Sequence, residues 1–464
     1  MTDFDRYQSP YSWRYASPEM RAMWSELHKR RLWRQIWLAL ARAQQPFGLV
    51  SAAQVTEIET HVEQVDLPRA LEIEAEIRHD LMAELKTFAE QCPGAGGALH
   101  LGATSMDIED NADALRLVQS LNLVGQRLDA LLAVLAALIE DTADLPVMAF
   151  THLQPAEPVT LGYRLANYAQ DLLEDRKALV QARQAVRGKG FKGAVGTGAA
   201  YMDLLGAKNF AAFEESLSRA LGLPFYAVSS QTYPRKQDYF VVSALAGLGA
   251  SLHKLAFDLR LLQTPPIGEL SEPFGSKQVG SSAMPFKRNP INAEKIDSLA
   301  RLLAGMPQVA WHNAASSLLE RTLDDSANRR TLLPESFLIV DELLITARRI
   351  LQGLVINRPA IQRNLENYAP FAATERVLMA AARRGADRQE LHERLRQHAM
   401  AAWQEVQEGR PNPLFGLLAA DELIGRYLPP EELAGLAAVD GYIGIAPQRA
   451  REMAETLKEL LRGQ

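Results

Sequence analysis

A chain of 464 residues is longer than one hydrophobic core usually supports, which excludes a single small domain and predicts two or three folded regions. The hydrophobic share of 47% and the charged share of 23% are ordinary for a globular protein and exclude a disordered chain. The net charge of −6, with Lys and Arg dispersed, leaves no basic stripe that could follow a nucleic-acid backbone, so we expect no nucleic-acid partner.

The cysteine content and the apolar patterning indicate the compartment. Cys92 is the only cysteine, so the chain forms no intrachain disulfide and has no pair of cysteine metal ligands. Residues 1–18 lack the apolar core of a signal peptide, and no later stretch of about 18 apolar residues is predicted to span a bilayer. We therefore expect a cytoplasmic protein without a membrane partner.

Helical periodicity dominates the chain from its N-terminal region onward. A segment from Ser17 to about Gly48 carries one continuous apolar stripe. Leucines spaced by three and four residues predict a helix of about 57 Å over residues 107–145, and a similar seam predicts another over 245–262. A third apolar helix is expected after Pro334.

Helices of this length usually pack in a bundle, so we predict an all-α chain with three helical domains. The expected division is an N-terminal domain at 1–103, a central long-helix bundle at 104–356 and a C-terminal domain at 357–464. Three segments rich in Gly, Pro, Ser or Thr interrupt the helices, at 92–105, 187–198 and 265–290. Loops of this kind often carry chemistry on a rigid scaffold.

The last of these segments contains the string GSSAMPFKRNP over residues 280–290. A long polar loop is the commoner explanation of such composition, but the string resembles the GSSxMPxKxN signature of the fumarase/aspartase superfamily. The resemblance implies that Ser281 is a base that removes a carbon-bound proton, while Lys287 and Asn289 hold a substrate carboxylate. A serine can do so only where positive charge and N–H dipoles stabilise its alkoxide.

A second string, THLQPA, begins at Thr151 and precedes a predicted helix. Taken alone, a histidine at a helix start is more often a cap than a catalyst. The string is similar to the superfamily's TH-x-Q-P-A motif, which implies that Thr151 binds substrate, that His152 is the general acid and that Glu294 orients its ring. The ordinary pKa of histidine suits the protonation of a departing amine near neutral pH.

A third string, HLGATSMD, leads from His100 into the long predicted helix. Thr104 or Ser105 followed by Asp107 is also an ordinary N-cap arrangement, and a helix N-terminus offers free N–H groups to an anion. The superfamily uses this Thr–Ser pair on a substrate carboxylate, and His100 belongs to the same predicted site. The string Arg78-His79-Asp80 resembles a further substrate-binding segment of the adenylosuccinate lyase branch.

Residues that could bind a nucleotide phosphate indicate the branch of the superfamily. The string ERTLDDSANRR at 320–330 resembles the adenylosuccinate lyases, which implies that Arg321, Ser326 and Arg330 contact nucleotide and phosphate. Arginine forks match phosphate oxygens in geometry, although a charged helix face with i,i+4 pairs is the plain alternative. Two further matches imply substrate contacts by Arg14, Tyr15 and Gln231.

The loop from Gly193 to Ala199 keeps the Gly-Thr turn of that family, but its flanking residues differ from the branch. It resembles a phosphate cradle only superficially, because no Lys-Ser or Lys-Thr pair of a P-loop follows. Six further histidines show no metal-ligand spacing. Neither a metal nor a cofactor is therefore expected.

Taken together, the resemblance implies a lyase that releases fumarate from adenylosuccinate, and also from the succinylated imidazole carboxamide ribotide, by general acid–base chemistry. It implies a homotetramer whose long helices form the shared core and whose active sites combine residues of several subunits. Two alternatives stay open. One is another lyase of the superfamily, such as argininosuccinate lyase, and the other is a catalytically silent structural protein related to crystallins.

Overall fold

Helices form most of the chain in the computed structural model, which describes residues 4–462. The α-helices are α1 Pro18–Met23, α2 Glu26–Gln44, α3 Ala52–His61, α4 Leu67–Ile77, α5 Asp80–Gln91, α6 Ser105–Asp141, α7 Leu161–Ala185, α8 Ala199–Leu205, α9 Phe210–Leu221, α10 Lys236–Leu262, α11 Ile291–Ala315, α12 Asp324–Gln352, α13 Arg358–Arg383, α14 Arg388–Gln407, α15 Leu414–Ala419, α16 Glu422–Gly425, α17 Pro430–Ala437 and α18 Ala446–Arg462. Short 3-10 turns lie at Pro10–Ser12, Gln45–Phe47, Gly96–Ala98, Ala207–Asn209 and Val439–Tyr442.

Two small antiparallel sheets accompany the helices. Strands β1 Pro146–Thr151 and β2 Gln154–Thr160 form a hairpin, and the two-residue strands β3 Leu270–Ser271 and β4 Val355–Ile356 pair with each other. The hairpin was not expected from the sequence, which was interpreted as a loop leading into a helix at this point.

The chain divides into two compact units, each built from three stretches of sequence. Unit 1 comprises 1–127, 175–250 and 299–345, and unit 2 comprises 128–174, 251–298 and 346–464. The division of the sequence into three consecutive domains stays a prediction.

In unit 1 one apolar cluster is rich in aromatic rings. Trp33 and Trp37 of α2 are almost fully buried with Phe88 of α5, and they join Phe191 and Phe213 in one cluster. In unit 2 a separate cluster joins buried residues of α13, α14, α15 and α17, including Val377, Leu391, Leu414 and Leu433.

The long predicted helices are present, but one of them begins earlier than expected. The seam expected over 107–145 lies in α6, and the seam ending at Leu262 lies in α10. The apolar helix expected after Pro334 is present as the later part of α12, but this helix begins ten residues earlier, at Asp324, and contains the proline. Buried residues on both sides of it, Leu333 and Phe337, keep the helix packed although one backbone hydrogen bond is lost.

The expected N-terminal helical segment is interrupted. Helix α1 ends at Met23, and the side chain of Ser25 accepts a hydrogen bond from the backbone N–H of His28 at 3.2 Å, which begins α2. An N-cap serine inside a continuous apolar stripe therefore divides it into two helices.

The expectation that no segment is long and apolar enough to span a membrane is wrong. Helices α6 and α10 each contain an 18-residue window with a mean hydropathy of 1.5. Both helices carry the leucine seams described above, and core helices of large all-α proteins have the same composition. The finding is therefore weak evidence for a membrane.

Candidate active site

The loop that carries the GSS string is closed at its base. The side-chain amide of Asn289 donates a hydrogen bond to the carbonyl oxygen of Gly280 at 3.0 Å. A Cβ atom at position 280 would lie 2.1 Å from the carbonyl oxygen of Lys287, so only glycine fits there. The spacing of Gly280, Lys287 and Asn289 in the signature therefore has a local structural cause in addition to any role in binding.

Ser281 lies directly after this closure, and its hydroxyl is part of a tight turn. Its Oγ accepts hydrogen bonds from the backbone N–H groups of Ala283 and Met284, at 3.3 and 3.1 Å. Backbone dipoles that point at a serine oxygen stabilise negative charge on it, as a serine base requires. Lys287 is exposed in the same loop and adds a positive charge.

The predicted general acid lies at the tip of the β1–β2 hairpin. Thr151 pairs with Gln154, so His152 and Leu153 form a two-residue turn in which both have positive φ, at 53° and 61°. The expectation that His152 stands at a helix start is therefore wrong. Left-handed backbone costs a non-glycine residue about 1–2 kcal/mol, and such strain concentrates at functional sites. Both residues of the tip are exposed.

Glu294 lies in the first turn of α11, but a different carboxylate, that of Glu272, bonds the free N–H groups at the start of this helix. Glu272 accepts hydrogen bonds from the backbone N–H groups of Asn292 and Ala293, at 3.1 and 3.0 Å. Glu294 itself remains half exposed, 4.0 Å from the guanidinium of Arg260. Within residues 4–462 no hydrogen bond joins His152 to Glu294, so their pairing stays a prediction.

Unit 2 contains a cleft of about 1390 Å³ that gathers part of this predicted set. Lys287, Asn289 and Glu294 line it, together with Leu153 from the hairpin tip. The lining also includes four arginines, Arg260, Arg288, Arg358 and Arg363, beside apolar side chains. Loop, helix and hairpin thus contribute to one concave surface, although Ser281 and His152 do not line it.

In unit 1, buried Asp107 fixes the turn that carries Thr104 and Ser105. Its carboxylate accepts a hydrogen bond from the backbone N–H of Thr104 at 3.1 Å, which closes the start of α6. The Oγ of Ser105 lies 3.4 Å from Nε2 of His79, whose Nδ1 accepts from the backbone N–H of Met82 at the start of α5. The structure therefore brings the predicted His79 and Ser105 together.

Arg78 and His100, two further predicted substrate-binding residues, occupy distinct positions. Arg78 adopts a left-handed conformation at the end of α4, with φ of 57°, and thereby directs the chain into α5. Nδ1 of His100 accepts a hydrogen bond from the indole N–H of Trp37 at 3.0 Å. Burial lowers the pKa of His100, so its ring is neutral at pH 7 and carries its proton on Nε2.

The predicted phosphate-binding residues surround the start of α12. Arg330 donates to the carboxylate of Asp80 at 2.9 Å, and both line a small polar cavity of about 100 Å³ with Ser326. The backbone N–H of Gln231 donates to the carbonyl oxygen of Glu320 at 3.2 Å, next to Arg321.

Arg14 and Tyr15 form a separate group in the turn before α1. The Arg14 guanidinium lies 5.9 Å from the ring centroid of Tyr15. No hydrogen bond or ion pair in the described part of the chain joins either residue to Arg321 or Arg330. Their part in a common site stays a prediction.

Sequence reasoning missed Glu109, which lines the polar cavity beside Asp80 and Arg330. Burial raises the pKa of Glu109 to about 8, and the nearby carboxylates of Asp80 and Asp113 add to this effect. The sequence did contain a signal for this residue, since Glu109 is an acidic residue one helical turn after Ser105. Among the described residues, no group of three or more His, Cys, Asp or Glu side chains is placed to hold a metal ion.

Comparison with known proteins gives the class first. The family described as "Lyase" matches residues 15–305 of the chain. A fumarate lyase from Mesorhizobium sp. BNC1 has a TM-score of 0.84 at 25% identity, with 97% of this chain and 99% of that chain covered. The 3-carboxy-cis,cis-muconate lactonizing enzyme from Pseudomonas putida has a TM-score of 0.86 at 27% identity, with 98% and 99% covered. The all-α fold of the fumarase/aspartase type is therefore confirmed, and the chain is a lyase.

The particular family follows from the sequence relatives. The family described as "Adenylosuccinate lyase C-terminus" matches residues 370–453. The adenylosuccinate lyase of Saccharomyces cerevisiae is 39% identical, with 98% of this chain and 95% of that protein covered. That of Archaeoglobus fulgidus is 36% identical, with 98% and 99% covered. The chain belongs to the adenylosuccinate lyase family, which confirms the resemblance seen in its motifs.

Proposed function

We propose that this chain cleaves adenylosuccinate to AMP and fumarate in purine biosynthesis, and performs the same elimination on the succinylated imidazole carboxamide ribotide. The observation that supports this chemistry is that the Ser281 hydroxyl accepts hydrogen bonds from two backbone N–H groups, in a loop that also contains Lys287. The near full-length similarity to adenylosuccinate lyases supports the choice of substrate.

The proposed reaction begins with the ionised Oγ of Ser281 removing a proton from the substrate carbon beside a succinyl carboxylate. The electron pair of that C–H bond passes into the carboxylate, where Lys287, Asn289, Thr104 and Ser105 stabilise the added charge. The electron pair then returns from the carboxylate to form the C=C bond of fumarate as the C–N bond breaks. The electron pair of the C–N bond goes to the nitrogen, and His152 donates the proton that the nitrogen takes up. Fumarate and the free amine of the nucleotide leave.

The nucleotide part is proposed to bind away from the bond that breaks. Arg321, Ser326 and Arg330, joined by Arg14 and Tyr15, would hold the phosphate. Binding energy at a remote group orients the succinyl part against the base and the acid. The other lyases of the superfamily named as alternatives act on substrates without a phosphate, so these arginines would have no such partner there.

We also propose that the protein is a cytoplasmic homotetramer whose active sites are shared between subunits. Large apolar side chains stay exposed on the long helices of the single chain, among them Phe240 and Phe257 on α10 and Leu302 and Trp311 on α11. Contact with further copies would remove this surface from water. Light scattering of the purified protein tests the assembly, and loss of specific activity on dilution tests whether sites are shared.

The first experiment is fumarate release from adenylosuccinate, with argininosuccinate and aspartate as parallel substrates. Ser281→Ala should lower kcat by at least about 10²-fold while the circular dichroism spectrum stays unchanged. Ser276→Ala is the matched control, because this exposed serine lies in the same loop outside the closed turn. Release from argininosuccinate or aspartate alone would reject the proposed substrate, and release from none would favour a structural protein.

A further inference from the structure

Asp325 lies behind the predicted phosphate-binding residue Arg321. Nη1 of Arg321 donates to Oδ1 of Asp325 at 2.7 Å. Arg321 stands in a non-helical segment just before α12, two residues after Leu319, which has a positive φ of 47°. No helical backbone therefore restricts its rotamers, and within residues 4–462 no second hydrogen-bond partner of its guanidinium is found.

The second oxygen of the Asp325 carboxylate accepts a hydrogen bond from a buried arginine. Nε of Arg235 donates to Oδ2 of Asp325 at 2.6 Å, and Nη1 of Arg235 donates to Oδ1 of Asp110 at 2.9 Å. All three of these side chains are almost fully buried, with 1–3% of each exposed. Asp325 thus cannot rotate without breaking a buried ion pair, which is strongly unfavourable.

The same network reaches the segment that carries Gln231. Oδ2 of Asp110 accepts a hydrogen bond from the backbone N–H of Tyr233 at 2.7 Å, two residues after Gln231. The backbone of Gln231 in turn bonds the carbonyl oxygen of Glu320, next to Arg321. Asp325 and Asp110 therefore link two predicted substrate-binding segments through buried charges.

Electrostatics keep Asp325 ionised in this position. Burial alone would raise the pKa of its carboxyl group, but Arg235, Arg329 and Arg321 outweigh that effect, and the pKa is lowered from its ordinary value. The ionised carboxylate engages one terminal nitrogen of the Arg321 fork. The Nε and Nη2 donors remain to bind a phosphate in two-point fashion.

We propose that Asp325 is a positioning residue, which fixes the Arg321 guanidinium in the orientation that receives the 5′-phosphate of the substrate. It acts through Arg321 and does not touch the reacting atoms. This inference rests on the proposed function, since that function supplies the phosphate.

The test compares Asp325→Asn with Asp324→Asn. Both variants remove one negative charge from the first turn of α12. Among residues 4–462, however, the one side chain that donates to Asp324 is the exposed hydroxyl of Thr322. We expect KM for adenylosuccinate to rise about 10- to 100-fold in Asp325→Asn, as loss of a charge-assisted hydrogen bond predicts, with kcat changed less than about threefold. Asp324→Asn should stay within about twofold of wild type on both constants.

Three further measurements separate positioning from a merely structural role. With the dephosphorylated substrate, succinyladenosine, the wild type and Asp325→Asn should have equal kcat/KM, because Arg321 then has no phosphate to bind. In the background of Arg321→Ala, Asp325→Asn should add little to the loss. Asp325→Glu, which keeps the charge, should give an intermediate KM.

An equal loss on the dephosphorylated substrate, a fully additive loss in the Arg321→Ala background, or an unchanged KM would each overturn the proposal. Calorimetric titration with inorganic phosphate separates its failure from that of the proposed function. If the wild type fails to cleave adenylosuccinate but binds phosphate more tightly than Asp325→Asn, the positioning role stands and the proposed reaction falls. If Asp325→Asn does not fold, the comparison of Asp325→Glu with wild type decides, since an unchanged KM there contradicts the proposal.

Discussion

The carboxylate of Asp107 accepts a hydrogen bond from the backbone N–H of Gly193 at 3.1 Å, so the glycine-rich loop binds a side chain of its own chain. The backbone N–H of Lys192 donates to the same carboxylate at 3.2 Å, and the buried ammonium group of Lys189 forms an ion pair with it. The loop therefore has the form of an anion cradle, but Asp107 already occupies its donors. Because Asp107 also holds the backbone N–H of Thr104, one buried carboxylate fixes the loop and the predicted carboxylate-binding turn together.

Removing this charge should destabilise the protein strongly. We expect Asp107→Asn to lower the free energy of unfolding by about 3–5 kcal/mol, because it leaves the buried Lys189 without a counter-charge. Urea unfolding monitored by circular dichroism measures the loss. Asp141→Asn, at the exposed C-terminal end of the same helix, should change stability by less than about 0.5 kcal/mol. Equal stability of the two variants would show that the cradle does not depend on the charge.

The closure of the loop that carries Ser281 gives a second prediction. Gly280→Ala would place a Cβ atom 2.1 Å from the carbonyl oxygen of Lys287, so the base of the loop must open. We expect kcat/KM to fall by about 10²-fold, the loss typical of a displacement of about 1 Å at a reacting group.

The matched control for this change is Gly275→Ala in the same loop. There the nearest atom to an added Cβ would be the Cβ of Gln278 at 3.7 Å, which is ordinary contact. Gly275→Ala should therefore retain wild-type kcat/KM, and the melting temperature of both variants should stay close to that of the wild type. Full activity in Gly280→Ala would mean that the loop tolerates opening and that its closure does not serve catalysis.

The sequence predicted the elements that regular periodicity determines. The seam over 107–145 is found as α6, ending four residues before the expected position, because Pro146 opens a strand instead of following the helix directly. The β1–β2 hairpin could not be predicted, since two-residue turns of positive φ normally carry Asn-Gly, and His152-Leu153 gives no such signal.

The buried ion pairs that position the predicted site residues could not be predicted from the sequence either. Asp107 and Lys189 are 82 positions apart, and Arg235 and Asp325 are 90 apart. No local pattern reports a pairing at such separation in a single sequence. The motifs therefore identified residues that are proposed to meet the substrate, whereas the buried charges that position them became visible only in the structure.

The strained hairpin tip leads to a third prediction. Leu153→Gly should raise the free energy of unfolding by about 1 kcal/mol, because glycine adopts a φ of 61° without steric cost. At the same time kcat should fall, since glycine loosens the turn that holds His152. Leu71→Gly is the control, because the same change in the exposed face of helix α4 should destabilise by about 1 kcal/mol. A loss of stability in both variants would show that the tip is not strained.

The raised pKa of Glu109 makes stability depend on pH. In the unfolded chain a glutamate has its ordinary pKa of 4.5, whereas the raised pKa of folded Glu109 keeps it protonated up to a pH of about 8. Between these values the folded state binds more protons, so this residue makes the protein less stable as the pH rises.

Glu109→Gln stays neutral throughout. We therefore expect its melting temperature to exceed that of the wild type by a few degrees at pH 8.5, with a smaller difference at pH 5.5. The exposed Glu76→Gln change on α4 should show no such pH dependence. A constant difference between Glu109→Gln and wild type across this range would mean that Glu109 is already ionised at low pH, in conflict with its position beside Asp80 in the polar cavity.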